Sequence, residues 1–206
     1  MTNPTEKALP PSDAPQKQGA AHTLYDYVEM FVFTVIFVIV LLSAFMRLCV
    51  VSGDSMNQTL IDKERLIVSN LFYTPKQGDI IVFHQTSETS DLLNEPIVKR
   101  VIATENEYVK LDYSQGRVYV SKDETFTEDE LLDESTYLFL DRPYWDEFGR
   151  EAKVFSVPEG HLFVMGDNRN NSTDSRSAEV SFVDERRILG KVLLRITPLS
   201  KFGKVD

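Results

Sequence analysis

The chain has 206 residues, a formal net charge of −10 at pH 7 and a pI near 4.8. This acidity argues against nucleic-acid binding, which needs clusters of basic residues. A single cysteine, Cys49, excludes an internal disulfide, and the three histidines are scattered, so no metal-ligand spacing appears.

The chain opens with a segment whose composition predicts a flexible tail. Residues 1–22 contain four of the nine prolines, together with Gln, Lys, Ala and Asp. Such a segment buries too little apolar surface to order itself. We therefore expect a tail over residues 1–24.

An uncharged apolar run follows, from Met30 to Met46. As a helix it would extend roughly 25 Å, less than a hydrocarbon core of about 30 Å. Continuing to Val51 gives roughly 33 Å, with the Arg47 side chain reaching the interface. We predict one transmembrane helix over 25–51. A cleaved signal peptide fits less well, because the leading segment is long and not basic and the apolar stretch is too long.

Beyond residue 52, short apolar runs alternate with turn residues, which predicts a mostly-β domain over 52–206. The runs read as strands are Arg65–Ser69, Ile80–Phe83, Ile97–Ala103, Tyr108–Leu111, Arg117–Val120, Val154–Val157, Leu162–Met165 and Lys191–Ile196. Two segments are predicted as short helices, Glu128–Glu134 and Val183–Ile188. Between residues 121 and 151, eleven acidic and three basic residues give a net charge of −8, which we interpret as a solvated insertion.

The first segment that could carry chemistry is Ser52-Gly53-Asp54-Ser55-Met56. A serine is a poor nucleophile until a base takes its proton. Gly53 allows a tight turn and the approach of a substrate. The backbone N–H of Ser55 could then face a developing oxyanion, and one such donor is worth roughly a hundred- to a thousandfold in rate. Taken alone, the motif fits an ordinary turn better than a site.

The second segment places Lys99 within an apolar run, 44 residues after Ser55. Strict alternation puts Lys99 on the same face as Ile97 and Val101. Burial lowers a lysine pKa from about 10.4 by up to a few units, and a neutral amine is a competent base near neutral pH. The alternative, which this run alone favours, is an edge strand whose lysine reaches water.

The third segment is a dense polar run, Gly166–Arg176, directly after an apolar strand. Asn and Asp favour tight turns by bonding their own backbone. So many polar groups predict a structured loop with internal ion pairs. A plain solvated loop is the alternative, but it would not need this order of residues.

Together these segments resemble the type I signal peptidases, a Ser-Lys family of the S26 type, in the short single-anchor form of Gram-positive bacteria. The resemblance covers most of the chain after residue 30. Four blocks occur in the family's order, at residues 52–60, 78–83, 99–102 and 166–176. The resemblance implies a signal-peptidase-like β-sheet domain after one N-terminal transmembrane helix.

The resemblance also assigns roles to single residues. It implies that Ser55 is the nucleophile and Lys99 the general base, with the Ser172 hydroxyl orienting the lysine amine. The remaining positions implied by the family are Arg100 and Asp167, which pair and hold two blocks together, Asp174 and Arg176, which close the last block, Gly53 as a supporting residue, and Met56 as a substrate-binding residue.

Four positions depart from the family pattern. Gln58 stands where the family usually has proline, and Asn170 where an aspartate is common. The stretch 103–107 replaces the usual Gly-Leu-Pro-Gly-Asp. Some relatives have a serine two residues before the nucleophile that supplies a second oxyanion donor; Gly53 occupies that position here, so the donor must come from elsewhere.

The function implied is removal of N-terminal signal peptides from secreted preproteins, with small residues one and three places before the cut (the Ala-x-Ala pattern) and no cofactor. The resemblance implies a single-pass protein of the cell membrane, with a cytoplasmic tail and an extracytoplasmic catalytic domain. The expected partners are preproteins and the lipid bilayer, and the oligomeric state stays open. Two alternatives are a self-cleaving SOS-type repressor, which would have a DNA-binding domain and no span, and an inactive, pilus-type assembly factor on the same fold.

Overall fold

A computed structural model describes residues 20–85, 95–138 and 151–205. The chain divides into two compact units, Met1–Ala44 and Phe45–Asp206. The first unit is described from Ala20 onward and is helical there, as part of α1 (Ala20–Phe45), whose stretch His22–Phe45 is long and apolar enough to cross a membrane. Most of the predicted tail lies outside the described residues.

The helix ends six residues before the predicted boundary at Val51. The next residues form strand β1 (Met46–Val50), which pairs antiparallel with β2 (Arg65–Ser69), with Met46 opposite Ser69. Backbone groups that would have continued the helix are bonded to a neighbouring strand instead. The helix also begins at Ala20, earlier than the predicted residue 25.

The second unit contains a seven-stranded antiparallel sheet with the strand order β1-β2-β10-β3-β4-β8-β9. Besides β1 and β2, its strands are β3 (Ile80–His84), β4 (Pro96–Ala103), β8 (His161–Met165), β9 (Val183–Asp184) and β10 (Ile188–Thr197). Strand β4 lies between β3 and β8, with Lys99 opposite Ile81 and Arg100 opposite both Ile80 and Met165. The lysine therefore lies on an interior strand, not on an edge.

A smaller sheet of three strands has the order β6-β5-β7. Its strands are β5 (Tyr108–Asp112), β6 (Arg117–Ser121) and β7 (Lys153–Ser156). Apolar residues from this sheet pack with Ile102 of β4 and Phe163 of β8 in one buried cluster. The two sheets of the second unit thus share a core, and β4 and β8 belong to it.

All eight runs predicted as strands are strands, whereas the two predicted helices are not α-helices. Only Glu128–Glu130 forms a 3-10 turn in the first. In the second, Val183 is fully buried and pairs with β8 in strand β9, and Glu185–Arg187 make one 3-10 turn. Burial of Val183 against a strand overrides the local helical pattern. Part of the acidic insertion, residues 139–150, lies outside the described residues.

Candidate active site

Ser55 lies in the loop between β1 and β2, half-buried. The loop is closed at its base by backbone bonds that join Val51 to Lys63 and to Glu64. Met56 and Leu60, 1% and 0% exposed, anchor the loop in a core cluster. Met56 was expected to bind substrate, and that role stays a prediction; its side chain packs in the core and so holds the loop that carries Ser55.

Gly53 gives this loop its tight turn, with a φ of +84°. Its backbone N–H donates to Oδ1 of Asp62 at 3.0 Å. Gln58 stands where the family usually has proline. Its φ is +88°, whereas the φ of proline is confined to about −65°. The turn after Ser55 therefore has a backbone geometry that proline could not adopt.

Lys99 is 2% exposed, and its Nζ lies 2.6 Å from Oγ of Ser55. The amine also donates to the carbonyl oxygen of Val98 at 3.1 Å, which fixes its direction. Burial lowers the pKa of Lys99 from 10.5 to about 8, Asp174 and Asp167 oppose that change, and Arg176 adds to it. A lysine in this state loses its proton close to neutral pH.

The polar run after β8 folds back on itself around the carboxylate of Asp174, which is fully buried. This carboxylate accepts hydrogen bonds from the backbone N–H of Gly166 (3.0 Å), from Oγ of Ser172 (2.7 Å) and from the Arg176 side chain (2.7 and 2.8 Å). Burial alone would raise the pKa of Asp174, but Arg176 and the hydrogen bonds hold it below the usual value. The run is therefore an ordered loop with internal ion pairs.

Arg100 and Asp167 form a buried, two-pronged ion pair. Arg100 Nε lies 2.9 Å from Oδ1 of Asp167, and Nη2 lies 2.8 Å from Oδ2. Arg100 also donates to the carbonyl oxygen of Gly78, and Thr59 Oγ1 donates to Asp167 at 2.6 Å. One pair thus joins β4, the loop before β3, the nucleophile loop and the loop after β8.

Gly166 lets the loop after β8 come close to the loop that carries Ser55, a contact that was not predicted from the sequence. A Cβ atom at this position would come within 2.2 Å of Ser172 Oγ and 2.4 Å of the Ser55 carbonyl oxygen. Asn168 holds the same two loops together, because its backbone N–H donates to the Ser55 carbonyl oxygen at 3.0 Å. A glycine directly after a buried strand and before Asp-Asn is the sequence signal that could have identified this contact.

The stretch 103–107 makes a closed turn without the glycines of the family pattern. Glu107 Oε2 accepts a hydrogen bond from the backbone N–H of Thr104 at 2.7 Å, and Asn106 supplies the left-handed position with a φ of +62°. Asparagine tolerates this conformation better than most residues. The turn therefore replaces glycine with a side-chain-bonded alternative.

Ser55 and Lys99 open onto a cleft of about 420 Å³. Its walls include apolar side chains from three strands, Leu66, Val82, Ile97 and Val98. Ser172 and Thr173 line the same cleft from the loop after β8. Within residues 20–85, 95–138 and 151–205, no group of three or more His, Cys, Asp or Glu is arranged to hold a metal ion.

Three comparisons bear on this arrangement. The model of the family described as signal peptidase, peptidase S26, matches residues 24–197. A signal peptidase I of Leptolyngbya laminosa is 29% identical over 209 residues, covering 98% of this chain and 94% of its own. Signal peptidase IB of Staphylococcus aureus is 32% identical over 164 residues, covering 74% of this chain and 78% of its own.

A solved structure of a signal peptidase I from Enterococcus faecalis V583 is 27% identical, covers 58% of this chain and 97% of its own, and has a TM-score of 0.38. The family match is more extensive, since it runs from α1 to the last strand of the large sheet and includes every block that carries Ser55, Lys99 and Asp174. This chain therefore belongs to the signal peptidase family, peptidase S26.

Proposed function

We propose that this chain is a membrane-bound type I signal peptidase in which Ser55 attacks the substrate and Lys99 acts as general base. The observation that carries the proposal is the 2.6 Å distance between Ser55 Oγ and the Nζ of a lysine that is 2% exposed. A nucleophile within hydrogen-bond reach of a base is the arrangement that activates serine. The family to which the chain belongs supports the same reaction class.

The reaction begins with Lys99 neutral. Its lone pair takes the Ser55 proton while Oγ bonds to the scissile carbonyl carbon, and the carbonyl electrons move to its oxygen. The Ser55 backbone N–H stabilises that oxyanion. The protonated Lys99 then gives its proton to the leaving amine as the C–N bond breaks, which leaves an acyl-enzyme on Ser55. Water, deprotonated by the same amine, attacks the ester and regenerates both residues.

The Val98 carbonyl, the Ser172 hydroxyl and the Asp174 carboxylate would support the reaction. The Val98 carbonyl oxygen holds the amine, and Ser172 bonds to Asp174, whose charge acts on Lys99. Gly53 has no side chain and its N–H is bonded to Asp62. A second oxyanion donor, if the reaction uses one, therefore comes from another residue of the cleft.

The apolar part of the cleft supports a substrate class. Leu66, Val82, Ile97 and Val98 form an apolar wall in a cleft that is also lined by Asp54, Glu95 and Glu179, so this wall favours apolar side chains of a substrate. This fits the Ala-x-Ala pattern one and three positions before the cut. We further propose that α1 anchors the chain in the cell membrane, with the tail in the cytoplasm and residues 52–206 on the outer side.

The inactive assembly factor, the alternative expected from the sequence, is not supported by the site. It would not need a buried lysine against a serine, because keeping an amine in an apolar setting costs stability. Both residues are present and in contact, which favours the enzyme.

The test uses the full chain in detergent and a preprotein that carries an Ala-x-Ala cut site. We expect cleavage after the second alanine by the wild type, and none by Ser55→Ala or Lys99→Ala, while circular dichroism shows that both variants keep the native fold. Near-normal turnover by Lys99→Ala would contradict the proposed pair. An uncleaved preprotein with the wild type would favour the assembly factor.

A further inference from the structure

Part of the acidic insertion packs on the domain, although most of its described residues before Leu131 are exposed. Residue Leu131 bridges to Tyr119 of β6, and the backbone N–H of Leu132 donates to the Val118 carbonyl oxygen at 2.8 Å. The side chains of Leu132 and Leu138 pack on the core cluster shared by the two sheets. The segment 131–138 is therefore attached to the body of the domain.

Glu134 extends from this segment to the loop after β8. It is only 8% exposed and forms a two-pronged ion pair with Arg169, which is 1% exposed. Arg169 in turn donates through Nε to the carbonyl oxygen of Gly166 at 3.1 Å, and its own carbonyl oxygen accepts from Arg176 at 2.8 Å. One carboxylate of the insertion thus binds Arg169, a residue of the loop that contains Ser172 and Asp174, and Arg169 is itself bonded to Gly166 and Arg176 at the two ends of that loop.

Tyr137 makes a second contact, with the strand that carries Lys99. The Arg100 guanidinium lies over its ring, 3.9 Å from the ring centre, which is a favourable cation–π distance. The Tyr137 hydroxyl donates to Oε1 of Glu134 at 3.1 Å. Burial raises the pKa of Tyr137, so the hydroxyl keeps its proton and stays a donor. Glu134 and Tyr137 therefore act together, one on the loop and the other on β4.

The buried charges on and around the loop 166–176 are matched. The guanidinium groups of Arg100, Arg169 and Arg176 pair with the carboxylates of Asp167, Glu134 and Asp174, in that order. All six side chains are at most 8% exposed. A buried guanidinium that loses its partner has to find another or move towards water. Loss of Glu134 would thus release Arg169 and, with it, the Gly166 carbonyl that Arg169 holds.

We propose that Glu134 and Tyr137 are positioning residues for cleavage: together they fix the loop 166–176 against β4 and so set the place of Ser172 and Asp174 beside Lys99. Neither residue belongs to the four blocks of the family pattern, and neither touches Ser55 or the substrate cleft. The inference rests on the proposed Ser55–Lys99 reaction. It gives the acidic insertion a function in that reaction rather than in solubility alone.

The test compares Glu134→Gln with Glu128→Gln in the full chain in detergent. Both substitutions remove one negative charge from the same insertion without changing side-chain size, but Glu128 is exposed, and its carboxylate makes only long contacts, with the exposed Arg117 at 3.5 Å and with the Tyr119 hydroxyl at 3.4 Å. The readouts are kcat and KM for a peptide with an Ala-x-Ala site, and the fraction of folded protein at the assay temperature. A residue that only stabilises the fold would change the folded fraction and leave the kcat of the folded molecules unchanged.

For Glu134→Gln we expect kcat per folded molecule to fall about tenfold to a hundredfold with KM within about threefold, because a displacement of the supporting loop misplaces the base. Glu128→Gln should stay within about twofold of the wild type. A kcat of folded Glu134→Gln that falls less than about fivefold would overturn the proposal, whatever happens to stability. Wild-type activity and its loss in Ser55→Ala are measured alongside, so that failure of the underlying reaction is seen separately.

If Glu134→Gln does not fold, a second variant tests the proposal. Tyr137→Phe keeps the ring on Arg100 and removes only the hydroxyl bond to Glu134. We expect a fall in kcat of about threefold to tenfold with an unchanged KM, the size of effect that the loss of one ordinary hydrogen bond has. Unchanged kcat in folded Tyr137→Phe would overturn the proposal in that case.

Discussion

Gly166 leaves no space for a side chain between two other residues of the site, because its missing Cβ would lie 2.2 Å from the hydroxyl of Ser172. The same Cβ would also lie 2.4 Å from the carbonyl oxygen of Ser55. The loop after β8 and the nucleophile loop are therefore in contact across a glycine. The space between them is bounded by the Ser55 carbonyl oxygen, a backbone atom, and by the short side chain of Ser172, and neither can move far.

Gly166→Ala should separate these two loops. We expect kcat to fall about a hundredfold or more, since a displacement of about 1 Å at a reacting group has that effect. Gly160→Asn is the matched control: nothing lies within 4 Å of its Cβ position, and asparagine accepts its φ of +69°. Steady-state kinetics on a peptide substrate measure both. If Gly166→Ala kept full activity, Ser172 and Ser55 would not depend on this spacing.

Cleavage should rise with pH through the titration of Lys99. Burial lowers the pKa of Lys99 to about 8, and only the neutral amine accepts the Ser55 proton. Below that pH, kcat/KM should fall about tenfold per pH unit, and above it the rate should level off. The profile from pH 6 to 9 is measured with one peptide, with circular dichroism at each pH. A flat profile over this range would mean that Lys99 is not the base.

Lys99→Met should remove activity and increase stability at pH 7. At that pH the buried amine is still protonated, and its lowered pKa corresponds to a penalty of about 3 kcal/mol for the charged form. Methionine fills a similar volume without a charge, although it loses the contacts with Ser55 and Val98. We expect a gain of about 1–3 kcal/mol in the free energy of unfolding, measured by urea denaturation.

The same gain should shrink as the pH rises. Between pH 8 and 10.5 the unfolded wild type binds more protons at Lys99 than the folded one does, so the stability of the wild type increases with pH in this window. Lys99→Met has no such dependence. A difference between the two proteins that stays constant from pH 7 to 10 would contradict the lowered pKa.

Breaking the Arg100–Asp167 pair should destabilise the domain strongly. Arg100→Met leaves a buried carboxylate without its partner, which costs about 3–5 kcal/mol. The double variant Arg100→Met with Asp167→Leu should recover a large part of this loss, because no charge stays buried alone. Arg186→Met is the control, since Arg186 is 89% exposed in its pair with Asp184, and we expect a change below about 1 kcal/mol there. Additive effects in the double variant would mean that the pair is not coupled.

The strands follow from local patterns, which is why they could be predicted, whereas the roles expected of Ser55 and Lys99 came from the resemblance to a family. Short β-branched runs bounded by turn residues mark each of the eight expected strands. The lysine inside one of them lies on an interior strand, where its amine is away from water. A feature that contradicts its surroundings, such as a charged residue in an apolar run, is visible without knowing the fold.

The features that could not be predicted depend on partners distant in sequence. The helix ends at Phe45 because β2, some twenty residues later, offers β1 a strand to pair with. Glu134 looks like one more acid in an acidic stretch until Arg169 is placed beside it. The burial of Met56 with Leu60 in one core cluster is likewise not visible in the local sequence. In each case tertiary contacts decide between local alternatives.

Strand β1 determines how far the chain can be shortened for work without detergent. A fragment that starts at Phe45 keeps β1 on the outer side of β2 and retains Ser55, Lys99 and the loop 166–176. A fragment that starts at Ser52 would uncover the N–H and C=O groups of β2 along its whole length, and such an open edge recruits other chains. We therefore expect the longer fragment to stay monodisperse and the shorter one to aggregate, although both contain Ser55.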